Sequence, residues 1–241
     1  MATNSDSMQQ VCMLCRQAQA DPEICGYLVI RRGFCAHVFC LCFANNIAAE
    51  PVQEGALGFH YEDIQRGIEE AAQKNCCVCR QSGAAITCQE TGCECSFHLP
   101  CATKGGCIAQ YFVPFRAFCR EHRPQQVVEA TPEKDTTCLV CMDPVDKQLS
   151  YITMVCPVCR HAWFHRECIQ GQALHAGISA FQCPLCRNRG KFLREMLTLG
   201  IHVPRRGFSF TEELETGQRH SRCDASECLC PRGRQWAEED G

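Results

Sequence analysis

The sequence predicts a string of small zinc-stabilised α+β domains, and three observations carry that class. The chain has 241 residues and 25 cysteines. Cysteine is counted in the 46% hydrophobic fraction; without it roughly 36% remains to build ordinary cores, below the usual apolar share. The cysteines and several histidines also fall in close pairs, usually two residues apart, which is the spacing with which tetrahedral zinc sites are assembled. The polar start MATNSDSMQQ lacks a basic then apolar run, so no secretory signal is expected. No stretch approaches a membrane span. A reducing compartment is therefore expected, with thiols that bind metal rather than form disulfides. The net charge of -3 excludes little, but its distribution is uneven. Residues 74–124 carry six basic and three acidic side chains and residues 138–207 carry nine and four, so the cysteine-dense blocks are mildly basic. Such excesses are ordinary solvated surface or a weak attraction to an acidic partner.

Cysteine spacing sets the organisation. Residues 1–9 are expected to be disordered. The first cluster, a knuckle over 10–45, supplies Cys12, Cys15, His37 and Cys40 as one complete ligand set. Residues 61–74 follow as a helix, because Ile64, Ile68 and Ala71 or Ala72 recur at helical spacing with no intervening proline. It is expected to pack the first cluster against the second. Over 75–124 eight ligands stand in four pairs. Alternate pairs in such small domains share a metal, which gives Cys76, Cys79, His98 and Cys101 for one ion, and Cys88, Cys93, Cys119 and His122 for the other. Neighbouring thiols leave alternatives: Cys77 for Cys76, Cys95 for Cys93, and Cys35 or Cys42 in the first set. Ile86, Phe97, Leu99 and Phe118, beside ligands, are expected to fill a small core.

Residues 125–136 form a linker, polar and with prolines on either side of its start, and the join is expected to be loose. Over 137–190 a second eight-ligand pattern gives Cys138, Cys141, His165 and Cys168, then Cys156, Cys159, Cys183 and Cys186. Sixteen cysteines and four histidines thus account for five zinc ions, each site closed by four protein ligands and so structural. Trp163 and Phe164 are expected to pack this domain. Residues 191–241 begin with a short helix, Phe192, Met196 and Leu199 on one face and Gly200 as its stop, and continue as an acidic tail. Cys25, Cys35, Cys42, Cys77, Cys95 and Cys107 are left as bystanders. No free cysteine is matched to an activating histidine, so a thiol-nucleophile enzyme is not indicated. No ligand set leaves an open position, which argues against a metal-dependent hydrolase.

Residues 10–124, ending in CREHRP and preceded by an EDI-containing helix, resemble the extended PHD finger of chromatin-associated proteins. In the third cluster the lone histidine is fifth among the ligands, as in PHD fingers, whereas most RING fingers place it fourth. Its flanks resemble a RING: Leu139 after the first cysteine, and CPLCR at 183–187. The order of these domains, with the words GAAITC, SFHLPC, WFHRECIQ and EMLTLGIHVPRRG and a CDASECLC start, resembles the family of PHD finger protein 7 and the G2/M-phase-specific ubiquitin ligase over most of residues 10–234. The resemblance implies an extended PHD finger followed by a cross-brace RING/PHD-like finger, acting in the nucleus as a RING-type ubiquitin ligase. Leu139, Pro184 and Leu185 would then bind a ubiquitin-conjugating enzyme and Arg187 would lock the attached ubiquitin, its planar five-donor guanidinium suiting a bridge between two partners. The extended PHD would target histones or another chromatin protein. Methyl-lysine recognition is not favoured, since Phe97, Tyr111, Phe112 and Phe115 are the only local aromatic candidates. Sequence-specific nucleic-acid binding is not expected, for want of a basic recognition helix. In those relatives a further finger follows, of which only Cys223, Cys228 and Cys230 stand here, so a truncated remnant is expected. The alternative to a ligase is a non-enzymatic chromatin adaptor, motivated by the PHD-like place of His165.

Overall fold

The computed structural model describes residues 10–31, 33–47, 49–51, 57–130 and 135–205. The expectations for residues 1–9 and for Cys223, Cys228 and Cys230 lie outside them. The chain divides after Pro204 into two units, and the first contains every helix and strand described.

Each Cys-x2-Cys pair makes the same turn. The residue after the second cysteine is left-handed and donates its N–H to the carbonyl of the first: Arg16 to Cys12, Arg80 to Cys76, Met142 to Cys138, Arg160 to Cys156 and Arg187 to Cys183, at 2.8–3.0 Å. A non-glycine residue there costs about 1–2 kcal/mol, a small sum beside the ~10–16 kcal/mol of a structural zinc.

The regular elements are short because the metal clusters, not long ladders, order the chain. Helix α1 (Pro22–Cys25) is capped by Asp21, whose carboxylate accepts from Glu23 N at 2.9 Å. It leads to the hairpin β1 (Leu28–Arg31) and β2 (Phe34–His37), paired Leu28 to His37, and then to α2 (Val38–Phe43). Hairpin β3 (Ala49–Pro51) and β4 (Leu57–Phe59) precedes α3 (Tyr61–Ala72), which buries Ile64, Gly67 and Ala71. A Cβ at Gly67 would stand 2.7 Å from the Ile47 side chain, so the helix approaches the first cluster closely. Two-residue ladders complete this half: β5 (Ile86–Thr87) with β6 (Ser96–Phe97), and β7 (Ile108–Ala109) with β8 (Ala117–Phe118). One continuous core joins the first and second clusters through Leu14, Leu41, Ile64, Ile86, Phe97 and Leu99. The third cluster has β9 (Thr153–Val155) against β10 (Trp163–His165), then α4 (Arg166–Ala180), interrupted at the left-handed Gly177, and α5 (Gly190–Thr198). Its core contains Phe164, Ile169, Phe181, Phe192 and Met196, so α5 is part of the finger's own packing. No described helix is long and apolar enough to cross a membrane.

The join between the two halves is the main departure from expectation. A loose linker was expected, but residues up to Pro204 form one compact unit. The side chain of Gln126 acts as an extra strand residue: its Nε2 donates to Val155 O at 2.7 Å and its Oε1 accepts from Val155 N at 2.9 Å. Gln110 Nε2 donates to Thr198 O at 2.8 Å and Tyr151 Oη donates to Cys107 O at 3.3 Å. The guanidinium carbons of Arg123 and Arg166 both lie over the Tyr151 ring, at 4.5 and 4.1 Å. His202 stacks on Tyr111 at 4.3 Å between centroids and presents its edge to Phe39. Its Nδ1–H donates to Glu23 O at 2.7 Å, while its backbone exchanges two hydrogen bonds with the Gln170 amide. These are polar contacts to backbone carbonyls and aromatic faces, which leave no periodic trace in a sequence.

Gly200 sits at this join. Its φ is +77°, and a Cβ there would stand 2.7 Å from Ile108 Cγ2 and 3.0 Å from Ala109 O. Gly200→Ala therefore combines backbone strain with a clash against β7, and we expect it to lower stability by about 1–3 kcal/mol, measured by denaturant unfolding at fixed zinc. His202 supplies a pH dependence. Burial pulls its imidazole below the ordinary 6.5, the Glu23 carbonyl only partly offsetting this. With the folded value depressed, the unfolded chain binds the proton more readily, so stability rises with pH in this range. The contribution is complete above the unfolded value near 6.5 and is lost as pH falls through the folded one. Thermal unfolding from pH 7.5 to 5.5 should show a shallower pH dependence in His202→Gln than in the wild type.

Candidate metal centres

Five sets of four side chains converge among the described residues. Within each set the ligand atoms lie within 4.8 Å of one another: Cys12, Cys15, His37, Cys40; Cys76, Cys79, His98, Cys101; Cys88, Cys93, Cys119, His122; Cys138, Cys141, His165, Cys168; and Cys156, Cys159, Cys183, Cys186. In both eight-ligand blocks the first pair meets the third and the second meets the fourth. The structure groups Cys76 rather than Cys77, and Cys93 rather than Cys95. The Cys77 backbone N–H donates to Ser96 O at 2.8 Å, and the Cys95 backbone carbonyl accepts from Cys88 N at 2.9 Å. Cys35 and Cys42 are buried outside the first set.

The dimensions suit zinc. Bonds of ~2.3 Å to sulfur and ~2.0–2.1 Å to nitrogen at tetrahedral angles give ligand-to-ligand edges of roughly 3.5–3.8 Å. The observed edges include Cys15 Sγ to His37 Nδ1 at 3.4 Å, Cys79 Sγ to His98 Nδ1 at 3.4 Å, Cys88 Sγ to His122 Nδ1 at 3.7 Å, Cys168 Sγ to His165 Nδ1 at 3.9 Å and Cys156 Sγ to Cys186 Sγ at 3.8 Å. All four histidines turn Nδ1 inward. For two of them the outer nitrogen has a fixed partner: His98 Nε2 donates to Ser82 O at 3.2 Å and His165 Nε2 to Pro144 O at 3.1 Å. A proton held on Nε2 leaves the Nδ1 lone pair for a metal.

Backbone N–H groups lower some of the thiols, and burial raises others such as Cys88 and Cys183. Cys138 Sγ accepts from Val140 N at 3.5 Å and from His165 N at 3.4 Å. Burial pushes this thiol up, but the N–H groups of Cys141, His165 and Val140 outweigh it and bring it down to about 7. Cys119 is also brought down to about 7, burial being outweighed by N–H groups of His122 and Glu121. Thiolate is the form that binds metal. The groups therefore fit zinc in chemistry and spacing.

The residues around the third cluster divide into core and surface. Trp163 and Phe164 are buried. Leu139 and Leu185 are exposed at 38% and 53%, and Pro184 and Arg187 are exposed beside them in sequence. Val140 and Met142 extend the apolar surface around the Cys138–Cys141 turn. These two were missed from the sequence, although their place in a metal turn, where side chains project outward, was a usable signal. In the other half the aromatic residues are committed to packing. Phe97 is fully buried, Tyr111 lies edge-on to Phe39 and Phe43 with its hydroxyl on Ile24 O, and Phe115 packs on Phe43. They do not form an open methyl-lysine cage.

Comparison with known proteins agrees with this division. Residues 37–123 match a PHD-like zinc-binding domain and residues 136–187 a Ring finger domain. The chain is 35% identical to the G2/M phase-specific E3 ubiquitin-protein ligase of Macaca fascicularis and 36% identical to that of Gallus gallus, over 98% of its length in each case. It covers only 34% and 33% of those proteins, so it spans about a third of the relatives it matches. It is also 25% identical to the Pineapple eye protein of Drosophila melanogaster, over 95% of this chain and 40% of that protein. A PHD-like zinc-binding domain followed by a Ring finger, aligned almost end to end with one third of these ligases, makes the chain similar to that part of the G2/M phase-specific E3 ubiquitin-protein ligases.

Proposed function

We propose that the chain is a RING-type ubiquitin ligase module that binds five zinc ions, one in each four-residue set, and positions a ubiquitin-charged conjugating enzyme. The observation that carries the reading is the exposed surface of Leu139, Pro184, Leu185 and Arg187 on a finger whose relatives are named ligases. Leu139, Pro184 and Leu185 form the docking surface for the conjugating enzyme. Arg187 bridges the enzyme and ubiquitin, its left-handed backbone fixing where the side chain leaves the metal turn. No covalent intermediate forms on this chain. A substrate lysine amine attacks the thioester carbonyl and the conjugating enzyme's thiol departs, so the ligase contributes position alone. The PHD-like half selects the substrate, a histone or other chromatin protein, and the module works in the nucleus.

The test is ubiquitin-chain formation by the purified, zinc-loaded chain with a panel of conjugating enzymes, for wild type and Arg187→Ala. Loss of one charge-assisted hydrogen bond at the bridge, about 1.5–3 kcal/mol, makes the variant about 10–100-fold slower at unchanged zinc content. Equal rates would remove the role of Arg187, and no chains with any enzyme would remove the ligase reading. In that event the adaptor reading stands, supported by His165 as fifth ligand in a PHD-like order. Histone-peptide binding without conjugating-enzyme binding is its signature.

A further inference from the structure

The join encloses a cleft of about 300 Å³, with walls from both halves of the molecule. Its lining is largely apolar and includes Ile24, Ala109, Leu174 and Tyr111. Three carboxylates line it, Asp21, Glu23 and Glu167, and Arg166 is its one Lys or Arg. Three carboxylates against one guanidinium leave two in excess. That guanidinium is already engaged: Nε donates to Tyr151 O at 2.7 Å, Nη1 to Leu199 O at 2.8 Å, and the group stacks on the Tyr151 ring. His202 adds no countercharge, since burial favours its neutral form. Among the described residues none of the three carboxylates has an ion-pair partner, and Asp21 only caps α1. An apolar cleft at a domain boundary with a few convergent charges is the usual form of a binding site. Long aliphatic stems ending in a cation suit such a surface.

We propose that this cleft docks a lysine or arginine side chain of a partner polypeptide, its stem on Ile24, Ala109 and Leu174 and its cation among Asp21, Glu23 and Glu167. Both halves build the walls, so the partner is held across the join. The inference goes beyond the ligase reading and does not need it, because binding is measured with no conjugating enzyme present.

Gly171 provides a clean variant. It lies on α4 in the cleft wall, and a Cβ there meets nothing within 4 Å. Gly171→Phe therefore places a large side chain on the cleft wall with a Cβ that meets no neighbour, and it removes a helix-weakening glycine. The full zinc-loaded chain, labelled with nitrogen-15, is titrated with the blocked peptide Gly-Ala-Lys-Ala-Gly and with versions carrying norleucine or glutamate in place of lysine. The lysine peptide should shift the amides of Gly171, Gly200 and His202. Binding should weaken at least fivefold in the double variant Glu23→Gln/Glu167→Gln and vanish in Gly171→Phe. Unchanged amide shifts away from the cleft, with unchanged zinc content, confirm that both variants fold. No shift with the lysine peptide, equal binding of the norleucine peptide, or preferred binding of the glutamate peptide would overturn the proposal. So would the same amides moving with protein concentration alone, since a second copy would then be the occupant.

Discussion

Replacing Cys138 with serine is expected to unfold the third cluster and to release two zinc ions, not one. Cys138 is fully buried; its N–H donates to Asp143 O at 2.8 Å and its sulfur accepts from two backbone N–H groups. Its set interleaves with that of Cys156, Cys159, Cys183 and Cys186, so the segment carrying the second pair runs between the two halves of the first site. Neither site keeps its geometry when the other opens. A structural zinc is worth on the order of 10–16 kcal/mol, and a whole domain's net stability is about 5–15 kcal/mol. One lost site therefore exceeds what the core around Phe164, Phe181 and Phe192 can hold. Native mass spectrometry should count five ions in the wild type and three in Cys138→Ser, with loss of dispersed amide signals from residues 138–203. A four-ion species with the finger still folded would contradict the interleaved assignment.

The second large effect is expected at Arg166, through the join rather than through metal. Arg166 is 9% exposed and has no described carboxylate partner. It satisfies the carbonyls of Tyr151 and Leu199 and covers the Tyr151 ring, which in turn reaches Cys107 O in the other half. Arg166→Ala strips donors from two carbonyls and opens space between them. At about 1.5–3 kcal/mol for each hydrogen bond to a charged group, the loss is about 3–5 kcal/mol, which for a chain of this size lowers the melting temperature by on the order of 10 °C. Arg166→Met restores the stem without the donors and should recover only part of it. Zinc content should stay constant in both variants, because Arg166 is in none of the ligand sets. Limited proteolysis between residues 125 and 136 should accelerate in Arg166→Ala; unchanged cleavage would show that the join does not depend on this residue.

What could be read from the sequence depends on range. A metal pair is a local fact: two cysteines two residues apart adopt the same hydrogen-bonded turn wherever they occur, and Arg16, Arg80, Met142, Arg160 and Arg187 show it five times. The partner pairs lie some 20–35 residues away and are recognisable by the same signature. Two of the helices, α3 and α5, were legible too, because Ile64 with Ala71, and Phe192 with Met196, are buried at helical spacing, whereas α4 (Arg166–Ala180), the longest, was not among the expected elements. The choice between adjacent thiols was less legible: Cys76 opens the turn, its carbonyl accepting from Arg80 N, and enters the metal set, while Cys77 lies inside the turn and stays out of it. The join was not legible at all. Nothing in the sequence singled out Gln126, Tyr151, Arg166 or His202, and the prolines and polar residues of 123–137 suggested a loose tether. Their partners are mostly backbone carbonyls, which every residue type offers alike, so composition does not announce them. The cleft was hidden for the same reason, since its carboxylates come from positions 21, 23 and 167.

The bond from His202 to the Glu23 carbonyl spans 179 residues, and this gives the molecule an order of events in time. At roughly 5–20 residues per second, synthesis needs about 9–36 s to pass from one residue to the other. Each metal set closes over a far shorter stretch of chain and is available almost as soon as its last ligand emerges. Before His202 is made, every ligand of the first three sets is already in the chain, and the stacking of His202 on Tyr111 and its contact with Phe39 cannot yet exist. The newborn chain is thus expected to complete the ligand sets of its first half before its halves can close on each other, and His202 is among the last residues needed for that closure.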